Sequence, residues 1–280
     1  MKTNIIYILL VLNLSFVNAQ NYKSAFRSDV CNCLEEESLK RVLTENAFKR
    51  CLRETLPKYA TQIDASIIDE DTQQKFLKGQ LARKDLLLAM PSELIYSCDV
   101  YYKHINFLRT SSLLIMRENA KEDEIEKYDQ MVALTPSATA YFMRAKVHFK
   151  LGNIKETEAD IAKSLELNPN SENTISTRHE LMLLAWVLEE QERYKEAIEI
   201  YDKVYFGALD SEVAKLRALA DKKSGGTIAN IPVNVTVENK ENSNVNSRIK
   251  TVKVNRTDNK STPSTKVKKD SASLKKIFKL

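Results

Sequence analysis

The sequence predicts an all-α protein built on a helical repeat, preceded by a disulfide-stapled helical module and followed by a disordered basic tail. Three observations carry this. A helix-turn-helix pattern over 141–169 recurs over 181–204 at an offset of 40 residues. The 280-residue chain holds 5 Gly and 6 Pro, which suits long helices better than many short strands. The period-2 alternation of a half-buried strand is scarce before residue 228. The expected order is a leader over 1–19, a cysteine-containing helical module over 20–104, repeats with a closing helix over 105–222, and a tail over 223–280.

The chain opens with Lys2, an apolar run from Ile5 to Leu12, and Val17-Asn18-Ala19 before Gln20. That is the layout of a secretory signal peptide, with cleavage expected after Ala19. The run is too short and interrupted to span a membrane, and no later stretch reaches the roughly 18 apolar residues a span needs. No cysteine sits at the cleavage point, so a lipid anchor is not expected. The expected location is secreted or periplasmic, and the Lys-, Asn- and Ile-rich composition suggests a bacterial source.

All four cysteines, Cys31, Cys33, Cys51 and Cys98, precede the repeats. An even count in an exported chain predicts two disulfides. Cys31 with Cys33 is disfavoured, because residues two apart on a helix point to different sides. Two pairings stay open: 31–51 with 33–98, or 31–98 with 33–51. The surrounding pattern is helical, with apolar or Cys positions at 30, 34, 48, 51, 52 and 56. A helix over 72–90 is expected to stop at Pro91, and a long one to start at a capping Ser92. This module is expected to pack on the first repeat.

In the repeat region Tyr141, Ala145 and His148 share one helix face, as do Ile154, Thr157, Ile161, Ser164 and Leu165 on the next. Gly152-Asn153 marks a helix stop and turn, and Asn168-Pro169 ends the second helix. Ala145, His148, Thr157, Ile161 and Ser164 match Ala185, Leu188, Ala197, Tyr201 and Val204. A weaker copy upstream sets Tyr128, Met131 and Pro136 33 residues before Ile161, Ser164 and Pro169.

These residues resemble the tetratricopeptide repeat, a helix-turn-helix unit of about 34 residues. The match is good over 138–171 and 178–206 and weak over 105–137, so two to three units are expected. Arg144 departs from a preferred leucine, Glu192 stands where the turn glycine belongs, and about six extra residues lengthen the link near 172–177. The resemblance implies a concave groove lined by the first helix of each unit. Its residues here are Thr139, Phe142, Lys146, Phe149 and Lys150, then His179, Met182, Trp186, Glu189 and Glu190. Trp186, the sole tryptophan, is the expected anchor for a protein or peptide. Members that grip a C-terminal carboxylate use Lys and Asn; Lys146 and Lys150 fit in part, without an Asn. Residues 211–223 resemble the solvating helix that closes such arrays, with Val213, Leu216, Leu219 and Ala220 covering the last repeat.

The tail holds 13 Lys and Arg against 4 Asp and Glu, +9 of a whole-chain +5, so residues 1–222 sum to −4. Its Lys-, Asn-, Ser- and Thr-rich composition predicts disorder, with a short strand at 231–237. Such a tail can hold an anionic envelope surface. Export argues against nucleic acid as a partner.

No glycine-rich phosphate loop, H-E-x-x-H, G-x-S-x-G or His pair at metal spacing is present. His104, His148 and His179 are scattered, and His148 falls on a packing face. Acidic clusters at 35–38 and 121–126 are expected on solvated helix surface. The expectation is therefore no enzyme, no cofactor and no metal, but an exported adaptor that binds a protein or peptide. One alternative is an envelope-tethering protein working through its tail. The other is a thiol-redox factor using Cys31 and Cys33, against which Glu35, Glu36 and Glu37 disfavour a lowered thiol pKa.

Overall fold

The computed structural model describes residues 22–208 and 210–232. The leader, its cleavage point, the tail beyond Pro232 and Val233–Val237 lie outside the described residues. No strand occurs among the described residues, and Ile231 sits in a bend. No described helix is long and apolar enough to cross a membrane.

Helix α1 covers 22–40 and buries Tyr22, Phe26, Val30, Cys31 and Leu34, an i, i+4, i+8 stripe. Helix α2 (Glu45–Thr55) starts at Thr44, whose hydroxyl accepts from Ala47 N–H. A 3₁₀ turn (Leu56–Tyr59) and the short α3 (Ala60–Ala65) follow. Tyr59 meets Phe26 edge-on and donates to Asp29 at 2.9 Å. Disulfides join Cys31 to Cys98 and Cys33 to Cys51, with Cα atoms 5.5 and 5.7 Å apart, which resolves the two open pairings. Two positions on α1 are about 200° apart around the helix. One sulfur therefore reaches the start of α5 and the other reaches α2.

Helix α4 (Thr72–Ser97) corrects the expected stop at Pro91: the helix runs through the proline and breaks at Cys98. A mid-helix proline costs about 3 kcal/mol. Burial of Met90, Leu94 and Ile95 on either side offsets that, at roughly 1.5–3 kcal/mol each. Ser92 is no cap; its hydroxyl donates back to Ala89 O at 2.9 Å. Cys98, extended at φ −130°, separates α4 from α5 (Asp99–Glu118). Glu37 also departs from expectation. It is buried and held by Arg41 at 2.8 Å and by Arg50, and the Arg41 hydrogen bond leads in lowering its pKa.

The expected boundary between 104 and 105 falls inside α5. Tyr101 and Ile105 belong to the core of the cysteine module, while Leu113 packs with Ala145, Phe149, Ile161 and Val187. Helix α6 (Asp123–Leu134) packs on α7, yet α5 and α6 hardly touch. The weak upstream copy therefore makes no hairpin of its own.

Helices α7 (Ala138–Leu151) and α8 (Ile154–Leu167) form the best-matched hairpin. Ser137 caps α7 by accepting from Ala140 N–H, and Gly152 supplies the left-handed turn at φ 81°. Thr157 and Ser164 are fully buried and satisfied, Ser164 by donating across to Ala138 O at 2.9 Å. Arg144, the departure from leucine, forks onto both oxygens of Asp160 at 2.7 Å and reaches Asp129 at 2.9 Å. His148 is half-buried with Nε2 4.0 Å from Asp160, a boundary residue.

After a turn-rich link, α9 (Arg178–Glu190) and α10 (Tyr194–Ala208) repeat the hairpin. Ala185, Leu188, Ala197, Tyr201 and Val204 fill its core at the positions matched by the 40-residue offset. Glu192 adopts the left-handed conformation of the missing glycine, at φ 57°.

Helix α11 (Ser211–Lys223) corrects a second expectation, because it does not solvate the end of the array. Val213 and Ala220 pack on α9–α10 with Leu216 beside them, but Ala218 and Leu219 enter the core of the cysteine module. Tyr96 donates to Asp221 at 2.8 Å, and Lys222 donates to Ile95 O at 2.8 Å. The module expected on the first repeat thus docks through α4 on the last helix, and its continuation α5 reaches back over the repeats.

Candidate functional site

The helices expected to line the groove, α7 and α9, are partly covered by α5 of the same chain. Arg109, Leu113 and Arg117 of α5 are four residues apart, so they share one face. Leu113 packs with Phe149, which is 2% exposed. Phe149 in turn meets the Trp186 ring at 5.1 Å. The Arg109 guanidinium lies over Trp186, 3.7 Å from the ring centroid. Its Nη2 donates at 3.0 Å to Glu189 Oε1 and at 3.0 Å to the Tyr201 hydroxyl. Tyr201 also donates to Glu189 in a short hydrogen bond. Burial pushes the Tyr201 phenol well above its ordinary pKa, so it remains a donor. Arg117 pairs with Glu190 at 3.0 Å, and Lys150 with Glu124 of α6 at 3.7 Å.

Of the expected groove residues, Phe149, Lys150, Glu189 and Glu190 are therefore engaged within the chain. Trp186 is covered on one side. Thr139 sits exposed near the start of α7. What α5 leaves open is a cavity of ≈ 460 Å³ walled by Arg109, Phe142, Lys146, His179, Met182, Leu183 and Trp186. That falls within the size range of ligand sites, roughly 300–1,000 Å³. Lys146 is exposed and leans over the Phe142 ring at 5.8 Å. His179 is exposed at the mouth. With Lys150 held by Glu124, the lysine pair of a carboxylate grip is not assembled.

Residues 138–171 and 181–205 match the family model described as tetratricopeptide repeat. The chain carries tetratricopeptide repeats. A stretch of 109 residues is 30% identical to the Protein SGT1 homolog of Oryza sativa subsp. japonica. It covers 39% of this chain and 28% of that protein, so the chain spans less than a third of the relative's length. No solved structure matches the chain. The upstream segment 105–137 lies outside the family match, in line with α5 and α6 forming no tetratricopeptide hairpin.

Sequence reasoning missed Arg109, Leu113 and Arg117. The sequence signal is the Arg-Leu-Arg stripe at 109, 113 and 117; that it faces Glu189 and Glu190 is set by the tertiary fold. Helical spacing puts the three on one face but does not say which part of the chain that face meets. The cysteines form no metal site either. Cys31 and Cys98 lie near Glu35, but the disulfide between them leaves no thiolate to bind an ion.

Proposed function

We propose that this protein is an exported adaptor that binds a protein or peptide through the part of its tetratricopeptide groove left open by α5. Such repeats are protein-interaction modules, which supports a binding role. One observation carries the reading. Phe142, Met182, Leu183 and Trp186 line an open cavity although Phe149, Lys150, Glu189 and Glu190 are engaged within the chain. Apolar walls with a few polar groups at the rim are what peptide anchors fit.

The test is selection of random peptides on the mature chain, 20–280. Binders are expected that compete with one another and that lose affinity on Phe142→Ala. Binders indifferent to Phe142 would contradict the groove. Export is tested separately, by N-terminal sequencing of protein recovered outside the cytoplasm. A start at Gln20 supports the leader, and a retained Met1 sinks it.

A second reading rests on the +9 of residues 223–280. There the tail tethers the protein to an anionic surface. Salt-reversible, tail-dependent sedimentation with anionic vesicles would favour it. A redox role for Cys31 and Cys33 has less support, since each bonds to a different partner and Cys31 is buried.

A further inference from the structure

We propose that the open cavity takes a peptide segment in which a bulky apolar side chain stands next to a carboxylate. This rests on the groove reading above and names the ligand class for that site. The argument is one of charge and shape. None of the seven residues walling the cavity is acidic. Glu189 and Glu190, beyond Trp186 on α9, are already paired with Arg109 and Arg117, and Glu180 adjoins His179 in the first turn of that helix. Lys146 has no ion pair among the described residues, and its ammonium lies over the Phe142 ring. Arg109 keeps its Nε buried without a hydrogen-bond partner while its Nη2 is held by Glu189 and Tyr201. Of the wall residues, Lys146 is therefore the cation left without a carboxylate partner, and the interior is apolar.

The size is right for a segment rather than a single group. An apolar cavity of about 150 Å³ accommodates a benzene ring. At ≈ 460 Å³ this one has room for a large side chain and its flanking backbone. A cation beside an aromatic wall suits a neighbouring carboxylate, because a charge-assisted hydrogen bond forms at the rim while the apolar side chain desolvates within. Arg109 comes from α5, outside the matched repeats, so the cavity is specific to the way this chain folds back on its own groove. The carboxylate could belong to an internal Asp or Glu or to a chain terminus.

The only tryptophan walls the cavity, so its emission reports occupancy directly. The experiment titrates the full mature chain with short Gly/Ser-spaced peptides. One carries a central Phe-Glu pair with both ends capped. Others replace Phe-Glu by Phe-Gln or Phe-Lys. A further one ends in Phe with a free carboxylate, and laurate serves as a non-peptide amphiphile. The expected result is a saturable change with Phe-Glu, the free-terminus peptide or both, and none with Phe-Lys. The two acidic arms separate the sources of the carboxylate. Lys146→Glu, a change at an exposed position, should weaken binding at least about tenfold, and His179→Glu should act in the same direction. Unchanged thermal melts would show that both variants fold. Equal binding of Phe-Gln or Phe-Lys overturns the proposed ligand class while leaving the groove reading intact. No response to any peptide overturns both, and a response to laurate alone replaces a peptide ligand with an amphiphile.

Discussion

Arg109→Met tests whether α5 is locked into the groove. Methionine keeps much of the length and apolar contact and deletes the guanidinium. The change removes two hydrogen bonds of 3.0 Å, to Glu189 and Tyr201, and the stack over Trp186. It leaves Glu189, whose side chain is 3% exposed, facing only the Tyr201 hydroxyl. Removing one partner of a buried pair costs about 3–5 kcal/mol, mostly because the other charge stays behind desolvated. Removing both is far milder, since no orphaned charge remains. The double variant Arg109→Met/Glu189→Gln should therefore recover most of the loss. Urea unfolding of residues 20–280, followed by Trp186 emission and far-ultraviolet circular dichroism, measures both. A loss under about 1 kcal/mol for the single variant, or a double variant no better than the single, would refute the latch.

Three further outcomes follow from the same structure. Replacing Cys31 and Cys98 by Ser opens a bridge of sequence separation 67 and should cost about 4 kcal/mol, against about 3 for the Cys33–Cys51 bridge of separation 18, both read by denaturant midpoints; a larger loss at Cys33–Cys51 would contradict the ordering. Glu192→Gly relieves a left-handed residue at φ 57° and should stabilise by about 1 kcal/mol, with a lowered melting temperature as the contrary result. Asp210 caps α11 and pairs with Arg178; burial opposes its ionisation most, but Arg178 and the Glu212 and Val213 N–H groups outweigh it and hold its pKa below the ordinary carboxylate value. Stability from a lowered carboxylate is complete above about pH 3.9, the unfolded value, and is lost as pH falls through the folded one. Asp210→Asn should thus trail the wild type by about 1 kcal/mol near neutrality, with the gap closing in acid. A gap that persists to about pH 2 would contradict the assignment.

Local features of the fold were legible because they are written at helical spacing. The Gly152 turn, the Asn168 stop and the matched pairs Ala145/Ala185 and Ile161/Tyr201 need only periodicity and backbone sterics. Even the misfit Glu192 pointed to its left-handed turn. Pro91 misled because its local penalty is overruled by the burial of Met90, Leu94 and Ile95, a tertiary effect. The pairing of Cys31 with Cys98 depends on where α4 ends, so spacing alone left it open. Helix α11 was placed well, but its second apolar face at Ala218 and Leu219 finds a partner about 120 residues away in sequence, which no local pattern announces. The groove residues were named by repeat position. Their division into sealed and open sets depends on Arg109, Leu113 and Arg117, contributed by a helix that local reading assigned to a different role.

The measurement that bears most directly on the proposed function is amide hydrogen exchange of residues 20–280 with and without a peptide recovered by selection. The account predicts added protection over 139–150 and 179–190, the lengths of α7 and α9 that flank the cavity, with α1 and α4 unchanged. Protection confined to α1 and α4, with α7 and α9 exchanging as in the free protein, would contradict it.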